Sequence, residues 1–209
     1  MSNAPLADFY ARLDACNLAS LSERAALEAD LWARFGTEKT VLILDMAGFT
    51  TKVQKHGLLF FLRKIRYMQS VVAPLLAEWR GELVKFEADN AYAVFTRPLD
   101  AVHCALHIHE KFQYLADGLP DVDDVVVSIG LAHGRIMLIP GHDFFGDAVN
   151  IASRLGEDIA GHRETYVSAE LFAYIANDPE LAVEPVQGLG MTAGKVARRS
   201  SGHDSVSQS

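Results

Sequence analysis

Asp45 ends an apolar run, residues 41–44, and Asp89 stands in the segment Ala88-Asp89-Asn90 between two short runs of strand character. Two carboxylates converging at one end of a sheet can hold a pair of hard divalent cations, for which Mg²⁺ with phosphate ligands is the common case. Taken singly, the same residues can instead cap a turn and close a hairpin. Directly after Asp45, the residues Gly48, Phe49 and Thr50 lead into a helical segment whose first backbone N–H groups are unpaired, a place where a phosphate binds. No GxxxxGK[ST] pattern accompanies them, so the usual NTPase cradle is excluded. Farther on, Asn150 and Arg154 are four apart in a helical stretch and project from one face. An amide and a guanidinium so placed suit a ribose and a charged phosphorus centre, although the same pair also makes an ordinary solvated helix face.

Elements that gather these residues can be read from the hydrophobic pattern. A buried strand over 41–44 delivers Asp45, a helix over 51–79 follows with a break near His56 and Gly57 and a kink at Pro74, and two strands, 82–86 and 91–95, form a hairpin. A helix over 100–115, a strand over 125–131, a turn at Gly134 and a further strand over 136–139 come next. The spacing then predicts a helix over 146–159, a strand over 165–167, and a short helix capped by Ser168 and running through Ile175. This order matches a ferredoxin-like βαββαβ core: an α+β fold, an antiparallel sheet covered by helices, with appended C-terminal elements and an N-terminal helical segment. Its first and third strands are antiparallel neighbours, which predicts that Asp45 lies beside Asp89. The N-terminal segment, about 6–35, reads as helical, with Ser20 and Glu23 spaced as a capping box and Gly36 as a stop. The chain thus divides into a helical segment (1–38), a main folded domain (39–190) and a tail (191–209) whose serines and sparse apolar residues predict disorder.

Composition narrows the function. With 209 residues, half of them hydrophobic, the chain suits one well-buried domain. A net charge of -8 excludes a general nucleic-acid surface, so an anionic ligand must be held by a few placed groups. Cys16 and Cys104 are too few for a disulfide framework, and no apolar run reaches the roughly 18 residues of a membrane span, so a cytoplasmic protein is expected. His103, His107 and His109 read as a partly exposed helix face rather than a metal site, and Phe60, Phe61, Ile65 and Met68 as core or dimer contact.

Three blocks then become specific. Leu42-Ile43-Leu44-Asp45-Met46-Ala47-Gly48-Phe49-Thr50, the stretch from Lys85 to Phe95, and the stretch from Asp143 to Leu155 resemble, in content, order and spacing, the three signature blocks of the class III nucleotidyl cyclases. The resemblance covers residues 39–175. It implies catalytic domains paired head to tail, each active site taking metal ligands from one copy and recognition groups from the other. On the matching positions Asp45 and Asp89 bind two Mg²⁺ (or Mn²⁺) ions with the Met46 carbonyl as an extra ligand, Lys85 and Asp143 contact the base, Asn150 orients the ribose, and Arg154 stabilises the transition state. A lysine donor and an aspartate acceptor complement the N1 acceptor and N6 donor of adenine, whereas guanine presents the opposite pattern. The expected activity is therefore that of a homodimeric adenylate cyclase, converting ATP to 3′,5′-cyclic AMP and pyrophosphate by in-line attack of the ribose 3′-oxygen on the α-phosphate. A different class of reading is a catalytically silent cyclase-homology module that binds a nucleotide or a partner protein. The family has Gly where this chain has Ala88, and since alanine resists positive φ an ordinary turn is expected there. Residues 183–189 start a closing hairpin that the sequence after them does not visibly complete, and Lys195 is a candidate for reaching the triphosphate.

Overall fold

Strand β1 (Gly36–Met46) is buried without interruption from Thr40 to Leu44, which is why its sequence is a continuous apolar run and not an alternation. The computed structural model, which describes residues 4–47, 56–116, 125–186 and 192–199, places β1 between two antiparallel partners. On one side lies β3 (Asn90–Phe95), itself paired with β2 (Glu82–Glu87); on the other, β4 (Val127–Ile139) pairs with β1 along its whole length. The sheet continues from β4 through β6 (Thr165–Ser168) and β8 (Ala193–Arg198) to β7 (Leu181–Val186), while β5 (Asp143–Phe145) folds back on the end of β4. The β4–β6 pairing is parallel, so the sheet is mixed and not wholly antiparallel as the sequence led one to expect.

Each face of β1 has its own core. Leu42 and Leu44 pack with Met68, Val72 and Leu76 of helix α3 (Leu58–Glu78) and with Ala105, Ile108 and Phe112 of α4 (Pro98–Ala116). Val41 and Ile43 face the other way, against Phe144 and against Ala148 and Ala152 of α5 (Asp147–Ser153). Of the α3 residues singled out in the sequence, Met68 is fully buried, Ile65 packs against the first core, and Phe60 and Phe61 are half-buried. Pro74 lies inside α3, which continues to Glu78.

The N-terminal segment is two helices, α1 (Ala4–Leu18) and α2 (Leu21–Phe35), separated where Ser20 and Glu23 form the expected capping box; the Ser20 backbone N–H donates to Glu23 Oε2 at 3.1 Å. Ser168 likewise caps α6 (Ala169–Ile175), accepting from the Leu171 N–H.

Three local expectations are corrected. Gly134 does not turn the chain: it stands opposite Lys39 inside β4, because pairing with β1 over eleven positions overrides a local glycine signal. The helix expected over 146–159 stops being α-helical after Ser153 and becomes a π-helical turn, Arg154–Ile159, with the Ala160 N–H donating to the Leu155 carbonyl at 2.8 Å. The closing hairpin is complete, since residues 193–198, expected to be disordered, form β8 between β6 and β7. No helix of the described residues is long and apolar enough to cross a membrane.

The π-turn lies where backbone meets backbone. A Cβ at Gly130 of β4 would come within 2.0 Å of the Ala152 carbonyl oxygen and 2.4 Å of the Gly156 nitrogen, and one at Gly156 within 2.9 Å of the Ile43 carbonyl oxygen. Only hydrogen fits at either position. Gly130→Ala is therefore expected to lower the unfolding free energy by about 3 kcal/mol, the upper range for overpacking a tight contact, measured by urea denaturation.

Candidate active site

At the C-terminal end of β1, Asp45 continues the alternation of Val41 and Ile43 and so lies on the α5 side of the sheet. The β2–β3 hairpin brings Asp89 to the same end. Burial pushes the Asp45 carboxyl up to about 6, the negative charges of Asp89 and Glu157 push in the same direction, and a hydrogen bond from the Met46 backbone N–H opposes them. The neighbourhood of Asp45 and Asp89 expected from topology is thus present.

Glu157, on the π-turn, is the acidic member that sequence reasoning missed. Its own carboxyl is held above the usual range by desolvation, with Asp158 and Asp89 adding to the effect against a hydrogen bond from Ser153. The spacing Asn150, Arg154, Glu157 repeats at four and then three residues, which was the available signal that all three share one helix face. Asn90 ties the hairpin to this turn: its Nδ2 donates to Glu157 Oε1 at 3.2 Å and to the Tyr92 hydroxyl at 3.1 Å. The expectation of an ordinary turn at Ala88 is overturned, for Ala88 has φ +50°, the left-handed region in which the family's glycine costs nothing. A two-residue hairpin that follows strand twist needs that conformation whatever residue occupies it.

Two carboxylates at a strand end suit a hard cation that keeps several waters and takes substrate oxygens, and the repulsion that raises Asp45 is what such a cation would relieve. Among the described residues no group of three or more His, Cys, Asp or Glu is placed to hold a metal ion by itself. The Met46 side chain is buried in the first core, leaving only its backbone to serve the site. Gly48, Phe49 and Thr50 lie outside the described residues.

A second cluster forms where β5 meets β2. Lys85 Nζ lies 3.3 Å from Asp143 Oδ1, 2.9 Å from Glu87 Oε2 and 5.2 Å from the centre of the Tyr92 ring. Desolvation alone would lower the Lys85 pKa, but its bonds to Glu87 and Asp143 outweigh that and hold the ammonium above its ordinary value. Asp143 Oδ1 also accepts the Phe144 backbone N–H at 2.9 Å, which fixes its rotamer. Asn150 and Arg154 are both exposed, on the side of the helix opposite to Ala148 and Ala152, and the Arg154 backbone N–H still donates to the Asn150 carbonyl, so the two side chains remain one helical turn apart.

Other sequence candidates find partners elsewhere. Lys195, on β8, is ion-paired with Glu164 at 2.6 Å. His103 stacks on Trp79 and bonds Asp178 at 3.2 Å, His107 bonds the Trp79 indole, and His109 meets the Thr165 hydroxyl at 2.9 Å with burial pushing its pKa down to about 4. The three imidazoles do not converge on a common point.

No protein-family model matches the chain. It is 24% identical over 135 residues, 65% of its length, to the Rhizobium meliloti (strain 1021) protein named "Putative adenylate cyclase 3", and spans 23% of that relative. Among solved structures, the guanylyl cyclase domain of the RhoGC fusion protein from the aquatic fungus Blastocladiella emersonii superposes with a TM-score of 0.69 at 20% identity, over 78% of this chain and 97% of that one. The adenylate/guanylate cyclase/hydrolase from Silicibacter pomeroyi does so at 0.64 and 26% identity, over 78% and 96%. The chain has the fold of the nucleotidyl cyclase catalytic domains. Its structural neighbours include both guanylyl and adenylyl cyclases.

The raised pKa of Asp45 has a consequence for stability. A carboxyl that holds its proton up to about pH 6 when folded, and releases it at the ordinary value when unfolded, favours the folded state at low pH and loses that contribution as pH rises through 6. Asp45 is half-buried, so solvent screening leaves an effect of about 1 kcal/mol. In chelator, Asp45→Asn should therefore gain about 1 kcal/mol over the wild type on going from about pH 5 to about pH 8, measured by urea unfolding.

Proposed function

We propose that this chain is an adenylate cyclase that converts ATP to 3′,5′-cyclic AMP and pyrophosphate at sites composed between two copies of itself. The Lys85–Asp143 pair carries the reading, because it offers one donor and one acceptor side by side, half-exposed, next to the Tyr92 ring. Adenine presents an acceptor at N1 and a donor at N6, the complement of that pair, and guanine presents the reverse.

Asn150 would hold the ribose so that its 3′-oxygen lies in line with the bond to the departing pyrophosphate. Arg154 would neutralise the charge that grows on the α-phosphate as the new phosphorus–oxygen bond forms and the old one breaks. Two Mg²⁺ (or Mn²⁺) ions, held by Asp45, Asp89 and the Met46 carbonyl, would supply charge neutralisation at the phosphates and acidify the 3′-hydroxyl when bound. Gly48, Phe49 and Thr50 follow Asp45 in sequence and are proposed as phosphate contacts. The exposure of Asn150 and Arg154, turned away from their own sheet, supports a site completed by the acidic end of a second copy. ATP as substrate places the reaction in the cytoplasm.

Purified chain should form cyclic AMP from ATP with Mn²⁺ or Mg²⁺; no product with either ion would leave a silent nucleotide-binding module. Lys85→Glu combined with Asp143→Cys inverts the donor and acceptor pattern and should cut ATP turnover while admitting GTP, read by paired cyclic AMP and cyclic GMP assays. Unchanged ATP activity would show that the base is read elsewhere.

The shared site has its own test. Asp45→Ala alone removes a metal ligand from both sites of a homodimer, and Arg154→Ala alone damages both from the other side. In a mixture, one site of each heterodimer carries both lesions and the other carries neither. Random exchange should then restore roughly a quarter of wild-type activity, since half the dimers are mixed and half of their sites intact. A mixture that stays inactive while subunit exchange is independently demonstrated excludes the composite site.

A further inference from the structure

The N-terminal helices stand outside the catalytic reading, yet they are built onto the strand that carries Asp143. Phe9 of α1 is 3% exposed and stacks on Phe145 of β5, with ring centres 5.6 Å apart and planes 3° from parallel. Phe35, at the end of α2, meets the other part of Phe9 edge-on at 5.1 Å. The cluster around Phe9 and Leu31 also takes in Met137 and Ile139 of β4, and these are the residues paired with Phe145 and Asp143 in the β4–β5 ladder. Three residues make a very short strand, and among the described residues β5 is paired with β4 alone. Its position therefore depends on what packs against its side chains. Trp32 of α2 adds a second hold, its ring 4.3 Å from the Arg135 guanidinium, on the residue whose carbonyl oxygen lies 3.1 Å from where a Cβ on Gly146 would stand, at the start of α5.

We propose that the α1–α2 pair is a positioning element for nucleotide recognition: through Phe9 on Phe145 it fixes β5, and so sets Asp143 against Lys85. This rests on the reading of Lys85 and Asp143 as base contacts. Phe9 touches neither nucleotide nor reacting atoms, so its removal should loosen the recognition strand and weaken ATP binding while leaving the chemical step largely intact.

Hydrogen exchange in the full-length chain tests the mechanical half of this without reference to activity. Phe9→Ala should speed exchange of the amides of residues 139–146 about tenfold, the scale of one lost aromatic pair, and leave β1 and the 129–133 part of β4 unchanged. The KM for ATP should rise by a similar factor with kcat within about twofold, and Phe9→Leu, which keeps apolar bulk, should recover part of both. Phe145→Ala, at a 39% exposed position, removes the same stack without emptying the core and should reproduce the effect if Phe9→Ala fails to fold. Unchanged exchange over 139–146 in the variants, or acceleration spread evenly over the chain, overturns the positioning role. Asp143→Ala separates the two ideas: if it leaves the KM for ATP unaltered while the exchange result stands, the base-contact reading has failed and the clamp has not.

Discussion

The seating of the helix that bears Asn150 on the sheet depends on the contact of two glycine backbones. Gly130 in β4 and Gly156 in the π-turn approach so closely that neither tolerates a Cβ, and the helix bearing Asn150 and Arg154 is thereby seated directly on the sheet over Ile43. The π-turn follows from this seating. An α-helix continued through Gly156 would carry the backbone past the sheet, whereas the wider turn lets the chain settle and turns Glu157 towards Asn90. The acidic end and the exposed Asn150–Arg154 face are consequently fixed relative to each other by main chain, the least compressible material available.

Against that rigidity stands an electrostatic tension that the chain retains. Burial and the charges of Asp89 and Glu157 raise the proton affinity of Asp45, burial, Asp158 and Asp89 raise that of Glu157, and a protein selected for stability alone would neutralise one of these carboxylates. Keeping like charges together at a strand end is the pattern of a site waiting for a counter-charge. The Lys85–Asp143 pair is the opposite case, since it is already satisfied within the chain and a bound base must compete with that bond. On the proposed reading, discrimination between purines would come from the cost of leaving either partner unpaired, which is greater than the benefit of any one hydrogen bond.

Much of this was legible in the sequence wherever a local signal and the tertiary fold agreed. The apolar run ending at Asp45, the turn residues around Asp89, the Ser20 and Ser168 caps and the βαββαβ order all led to the observed elements, and the order alone put Asp45 beside Asp89. The misses share a cause, which is that long-range pairing overrode a local cue. Gly134 reads as a turn until β1 is seen to pair across it. Ala88 reads as an ordinary turn until the twist of β2 and β3 demands positive φ. Residues 193–198 show little apolar periodicity in part because position 194 holds a glycine, where a Cβ would come within 2.7 Å of the Val183 side chain. The π-turn itself was announced by no residue pattern, and Glu157 was legible only through its spacing from Asn150 and Arg154.

The position of β8 also bears on how the chain comes to be folded during synthesis. Although it is the last of the described strands, it lies between β6 and β7, both of which are made before it. Until residues 193–198 are available, β6 has a partner only on its β4 side, and β7 has none of the ladder that holds it in the sheet. That half of the sheet therefore cannot close progressively as the chain emerges, and a nascent chain must carry an open, apolar edge at Tyr166 and Val167 until residues 193–198 have been made.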